Sequence, residues 1–310
     1  MEPETFCLLS FQKIGEMAKE KILLLGASGF IGRPLFNKLG VVNTIGTYRT
    51  KPFKNGVFFD SLNTALCDVI KNPEQISHAI ILLGIVRPDV CAQNENQSQQ
   101  INVDSVIKIL KQLKSWHIKP IYASSESIFD GNKGNYCEND PPNPILIYGQ
   151  QKVQIENFIK DNFEEYVILR IATVVGNNVD DGTILSAWYN QILNNEDIKS
   201  AVDQIKSPIF IGDLIEAIKI IIKKNMVGTY NLGGSSSYSS YELSKMILEE
   251  VKKFIKLENK IIGVSINDFK TVEKRPLNIS MNSSKLWNKI GMKPKNMDII
   301  CRELVSSYFS

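Results

Sequence analysis

Apolar runs and amphipathic stretches alternate along the chain as far as Arg170. Ile22–Leu25 is fully apolar and stops at Gly26, which predicts a short strand buried on both faces. A helix is expected from about Ile31 to Leu39, then a second strand from Val41 to Thr47. Val57–Phe59 and Ala79–Leu83 read as the third and fourth strands. Val103, Val106, Ile107, Leu110 and Leu113 recur at helical spacing and mark one buried face. Pro120–Ala123 reads as the next strand, followed at once by Ser124, Ser125, Glu126 and Ser127. A helix beginning near Tyr148 and running to about Lys160 leads to a strand at Tyr166–Arg170. Strands alternating with helices in this way predict an α/β fold with a doubly wound parallel sheet.

Beyond Arg170 the rhythm loosens. Gly176–Gly182 is rich in Asn, Asp and Gly and reads as a loop. Ile211-Gly212-Asp213 opens a helix with Leu214, Ile215, Ile218 and Ile222 on one face. Ser239 and Glu242 have the spacing of a capping box before a helix from Leu243 to Ile255. Short elements of both kinds in the last third predict a second, smaller α/β lobe. At 310 residues the chain passes the roughly 250–300 residues at which a single core stops growing, which agrees with two lobes.

Composition narrows the partners. Hydrophobic residues make up 43% and charged residues 22%, with a net charge of +3, and the two signs are interleaved. Neither nucleic acid nor a membrane surface is expected as a partner. The Lys252, Lys253, Lys256 stretch reads as the wet face of a helix. Cys7, Cys67, Cys91, Cys137 and Cys301 are scattered, and His78 and His117 flank strands, so no metal site and a reduced, cytoplasmic protein are expected. The apolar Phe6–Phe11 follows acidic residues and has no small-residue cleavage site after it. Residues 1–16 are therefore expected to be a disordered tail rather than a secretory signal.

Gly26-x-x-Gly29-x-x-Gly32 falls between the first strand and the first helix. Glycines there let the backbone turn sharply and let a pyrophosphate approach a helix N-terminus. This places a dinucleotide across a Rossmann-type sheet. An NAD site ordinarily carries Asp or Glu about 20 residues further on, against the ribose hydroxyls. Here that stretch holds Arg49 and Lys51, two cations suited to a 2′-phosphate. The expected cofactor is NADP(H), with NAD(H) as the alternative. Asp60, after the third strand, is placed to meet the adenine amino group.

Tyr148 and Lys152 stand at i and i+4, on one face of their helix. A free tyrosine titrates near pH ~10, and an adjacent ammonium favours the phenolate. The pair, with a serine from the strand end at Ser124-Ser125, can move a proton to or from a carbonyl oxygen. Tyr-x-x-x-Lys is common by chance. Its weight comes from the phosphate loop and the serines that accompany it.

In this ordered series the chain resembles the extended short-chain dehydrogenase/reductases, and within them the dTDP-4-dehydrorhamnose reductase and sugar-nucleotide reductase-epimerase family. The resemblance runs over roughly residues 20–308. It passes through the glycine loop, Asn102-Val103, Ser124 to Gly131, Tyr136 to Glu138, Pro144-x-x-x-Tyr148-Gly149-x-x-Lys152, Leu169-Arg170, Asp213-Leu214, Tyr230 to Gly233 and Arg275-Pro276-x-Asn278. It implies a catalytic triad of Ser125, Tyr148 and Lys152. The cofactor would lie along Gly26, Ser28, Gly29, Phe30, Ile31, Gly32, Arg49, Lys51, Asp60, Leu62, Leu83 and Gly84, and reach Tyr148 and Lys152. A nucleotide-sugar substrate would touch Glu126, Ser127, Phe129, Thr173 and Arg275. Residues 17–172 with about 209–232 would form the cofactor domain, and about 173–208 with 233–310 the substrate lobe. A homodimer is compatible with the family.

The resemblance implies NADPH-dependent reduction of a 4-keto nucleotide sugar, with Tyr148 as proton donor. Two alternatives stay open: a nucleotide-sugar epimerase, and a non-catalytic NADP-binding regulatory subunit. Rhamnose-type reductases resemble Ser-Thr-Asp-Tyr-Val-Phe where this chain has Ser124-Ser125-Glu126-Ser127-Ile128-Phe129. The aromatic expected at Ser127 is absent, and Leu83-Gly84 replaces the usual Ala-Ala. These departures leave the triad intact and the identity of the sugar open.

Overall fold

The computed structural model describes residues 21–309, so the expectations for residues 1–16 lie outside the described residues. Six strands follow in chain order: β1 (Lys21–Leu25), β2 (Thr44–Tyr48), β3 (Gly56–Phe58), β4 (Ile76–Ile81), β5 (Lys119–Ser125) and β6 (Val167–Ile171). With Gly228–Leu232 they form one seven-stranded sheet, ordered β3-β2-β1-β4-β5-β6 and then Gly228–Leu232. All neighbours run parallel. The doubly wound sheet is thus present, and the order reverses between β1 and β4, where such sheets open a crevice for ligands.

β1 is central because it can be buried on both faces. Leu23, Leu24 and Leu25 are fully enclosed. Leu24 faces a core shared with helices Gly32–Leu39, Ile211–Lys223 and Ser284–Ile290, while Leu23 and Leu25 face helices Ser105–Ser115 and Ile147–Asn162. Each such leucine contributes about 1.5–3 kcal/mol relative to an exposed one. A separate core joins helices Ile184–Leu193, Ser240–Val251 and Met297–Phe309 to Ile198 and Ile261 of a parallel strand pair.

Two predicted boundaries shift. Val41 and Val42 are 50% and 80% exposed in the turn after Gly40, and β2 begins only at Thr44. Strand-forming residue types there sit where no neighbour covers them. The helix capped by Ser239 and Glu242 ends at Val251 rather than Ile255. Lys252 and Lys253 then reach back to Glu249 and Glu250, and Phe254 stacks on Phe309. On helix Ile211–Lys223 the fully covered face is Leu214, Ile215, Ile218 and Ile221, with Ile222 at its margin. Among the described residues, no helix is long and apolar enough to cross a membrane, and no cluster of His, Cys, Asp and Glu could hold a metal.

Candidate active site

The glycine loop joins β1 to helix Gly32–Leu39 in a tight turn. The Gly26 amide donates to Thr47 Oγ1 at 3.1 Å, and Gly29 donates to the Gly26 carbonyl at 3.1 Å. A Cβ on Gly32 would lie 2.2 Å from the Gly26 oxygen, so only glycine lets the helix start this close to the strand. Beside the loop a groove of about 270 Å³ is lined by Ser28, Arg49, Leu83 and Gly84 among others, and no carboxylate lines it. A dinucleotide fits this donor set, with backbone amides for phosphates and a guanidinium at the end of β2.

Three expected cofactor residues stand elsewhere. Lys51 is exposed outside the groove. Leu62 lines a different recess with Lys108 and Gln112. Asp60 accepts from Asn63 Nδ2 at 2.9 Å and from the Leu62 amide at 3.1 Å. These bonds, with weaker help from Arg49, hold its carboxyl below the usual range. Asp60 is therefore engaged in its own turn, between Phe59 and Ser61 of the groove wall.

At the end of β5 the chain turns through Glu126–Ile128, and Ser125 Oγ accepts from the Ser127 amide at 3.1 Å. Helix Ile147–Asn162 lies directly against this turn. A Cβ on Gly149 would be 2.1 Å from the Ser127 carbonyl oxygen, so Gly149 sets the approach that brings Tyr148 to Ser125. The Tyr148 phenol is buried, with the Ser125 hydroxyl near enough to pull its pKa down in part. Lys152 Nζ lies 5.5 Å from the Tyr148 ring centroid and donates to the Ala123 carbonyl at 2.8 Å.

The acidity of this pair differs from expectation. Lys152 was expected to hold the phenol down. Instead, burial raises Tyr148 well above its ordinary value, with Ser125 only partly offsetting it. Burial also pushes Lys152 down, to about 8. Excluding water penalises both charged forms, and this outweighs their spacing. Tyr148 is thus a neutral phenol with its proton in place.

Supporting contacts fix the rest. Glu156, fully buried, accepts from Ser124 Oγ at 2.6 Å and from Arg170 Nε and Nη2 at 3.2 and 2.9 Å. The Ser124 hydroxyl is therefore committed to Glu156, which leaves the Ser125 hydroxyl as the one beside Tyr148. Asn102, in a π-helical turn at Gln100–Asp104, donates to Gln151 at 2.7 Å and brackets Ile85 through its amide and carbonyl. This ties the segment after β4 to the Tyr148 helix.

A cavity of about 620 Å³ continues from the loop past Ser125, Tyr148 and Lys152 to Glu126, Ser127, Thr173 and Arg275. Phe30, Ile31 and Gly84 also line it. Glu126 Oε1 accepts from the Thr173 amide and hydroxyl at 3.1 and 2.7 Å, while burial raises its pKa above the ordinary carboxylate range. Its Oε2 has no partner among the described residues. Arg275 Nη2 meets Asp89 at 2.6 Å and Nη1 has no such partner. Phe129 is the correction here. It is fully enclosed, stacked on Tyr136 at 4.2 Å between centroids, and outside the cavity wall. Gln204 and Lys206 do line the cavity and were not foreseen. They come from a short strand segment with no local spacing signal.

The matches to known proteins agree with this architecture. Methionine adenosyltransferase 2 subunit beta of Bos taurus is 25% identical over 243 residues, 74% of this chain and 71% of its own. dTDP-4-dehydrorhamnose reductase of Aggregatibacter actinomycetemcomitans is 25% identical over 292 residues, 89% and 95% of the two chains. A dTDP-4-dehydrorhamnose reductase of Bacillus anthracis, solved in complex with NADP, shares the fold with a TM-score of 0.76 at 21% identity, over 94% of this chain and 100% of that one. Residues 20–308 match the family model described as RmlD substrate binding domain, and the chain belongs to that family.

Proposed function

We propose that this protein is an NADPH-dependent reductase of a 4-keto nucleotide sugar, with Tyr148 as proton donor. The observation that carries the reading is the buried, neutral Tyr148 phenol beside Ser125 and Lys152 in the wall of the larger cavity, which shares Gly26, Gly29 and Gly84 with the glycine-loop groove. The NADP complex of the Bacillus anthracis relative supports the cofactor class, with NAD(H) as the alternative. Bound NADPH would supply a hydride to the carbonyl carbon.

The chain's own residues would do the rest. Ser125 orients the carbonyl oxygen through its hydroxyl. Tyr148 gives that oxygen its proton as negative charge develops, which avoids releasing an alkoxide into a dry site. Lys152, still cationic below about pH 8, favours the phenolate left behind. Lys206 and Arg275 supply positive charge for a diphosphate. The Gly26–Gly32 turn and Arg49 would hold the dinucleotide.

The test is NADPH oxidation across a panel of 4-keto nucleotide sugars. Tyr148→Phe is expected to lower kcat by about 10²–10⁴-fold while NADPH affinity stays within roughly twofold. A variant that turns over like the parent would overturn Tyr148's role. A second reading is favoured by the likeness to a methionine adenosyltransferase subunit: a cofactor-binding subunit with no turnover of its own. NADPH binding without oxidation of any keto sugar would select it. Tightly held NAD in the absorbance spectrum of the purified protein would select an epimerase instead.

A further inference from the structure

The helix that carries Tyr148 and Lys152 lacks a cap of its own. Its N-cap position, Leu146, offers no side-chain bond, and its first turn holds no acidic residue. Four amides at a helix start need acceptors, and the positive end of the helix favours a carboxylate. That carboxylate comes from far along the chain. Glu273 Oε1 accepts from the Ile147 amide, the residue before Tyr148, at 2.8 Å. Glu273 Oε2 is buried with no partner among the described residues. A carboxylate held in that way is costly unless something compensates its charge, and the helix N-terminus is there to do so.

Residues 271–276 form an irregular segment that is itself held in place. Asp89, on helix Pro88–Gln93, accepts from the Val272 amide at 3.0 Å and from Arg275 at 2.6 Å. Thr271 Oγ1 closes onto the Glu273 carbonyl at 2.9 Å. One short segment therefore presents Arg275 to the cavity and a capping carboxylate to the catalytic helix. We propose that Glu273 is a positioning residue: it fixes the first turn of helix Ile147–Asn162, and hence the height of the Tyr148 phenol over the cavity, through the Ile147 amide. Whatever docks against Arg275 then bears on the same segment that seats the proton donor.

The proposal rests on the reductase reading for its kinetic arm alone. Amide hydrogen exchange on the full chain needs no substrate. Glu273→Ala is expected to speed exchange over residues 146–150 by about five- to tenfold, the loss typical of a helix cap, with the sheet unchanged. Glu273→Gln keeps an acceptor oxygen and is expected to restore most of the protection. In turnover, Glu273→Ala is expected to lower kcat about tenfold, as a misplaced catalytic group does, with KM and NADPH affinity within roughly twofold, and Glu273→Gln to recover most of kcat. Unchanged exchange at 146–150 would overturn the proposal, as would faster exchange with kcat intact or an equal loss in KM. If the parent turns over no keto sugar, the reductase reading fails, and the exchange result alone decides whether Glu273 holds the helix.

Discussion

Replacing Lys152 by Met should make the protein more stable and less active. Lys152 is buried and titrates near 8 instead of its ordinary 10.5. Its charged form is thus disfavoured in the folded state by about 3 kcal/mol at neutral pH. Methionine is of similar length and carries no charge, so this penalty disappears. The bond from Nζ to the Ala123 carbonyl is lost, at about 1 kcal/mol. A net gain of about 2 kcal/mol is expected near pH 7, together with a thermal midpoint higher by roughly 5 °C.

The sign can be followed with pH. Between about 8 and 10.5 the unfolded chain holds the Lys152 proton and the folded protein has released it. Parent stability therefore rises with pH across that window relative to the variant. The gap should be full below about pH 8, close before pH 10.5 and then reverse by about the 1 kcal/mol of the lost bond. Urea unfolding of both proteins across this range, without cofactor, measures it, while turnover reports the loss of function. A variant no more stable than the parent at neutral pH, or a gap that ignores pH, would refute the argument that burial sets this lysine's acidity.

Two further outcomes are expected. Arg49→Ala should weaken NADPH binding by about tenfold or more and leave NADH nearly unchanged, because a guanidinium gripping a 2′-phosphate forms charge-assisted bonds that NADH cannot return. Equal weakening in paired titrations would remove Arg49 from the cofactor site. Glu156→Gln should destabilise the protein by about 3–5 kcal/mol, since it leaves the Arg170 guanidinium buried without its carboxylate. Burial alone would raise Glu156, but Arg170, with Ser124 and Lys160, outweighs it and holds the carboxyl below its ordinary 4.5. The pair's contribution is therefore present above about pH 4.5 and fades at lower pH, and a urea midpoint unmoved by the substitution would contradict the pairing.

The parts of this molecule legible in its sequence are those whose cause is local. Ile22–Leu25 announces a central strand because only a site buried on both faces suits such a run. Tyr148 and Lys152 announce a shared helix face because four residues make one turn. Val41 and Val42 misled because residue type signals a strand while only neighbours can cover it, and here none does. Phe129 misled for the reverse reason. It follows the site residues in sequence, yet its side chain enters the packing beneath them, against Tyr136.

The acidity of Tyr148 is the least local property of all. A lysine one turn away argues for a low pKa, but the surrounding burial argues for a high one, and burial is assembled from the strands, the helix and the segment at Arg275 together. The same holds for Glu273, whose carboxylate reaches a helix that begins 126 residues earlier. Spacing along the chain can nominate the atoms that react. Their protonation states and exact heights depend on enclosure, because dielectric exclusion sums over every element that walls the cleft. The fold thus sets the protonation of Tyr148 by enclosing it more than by the nearness of Lys152.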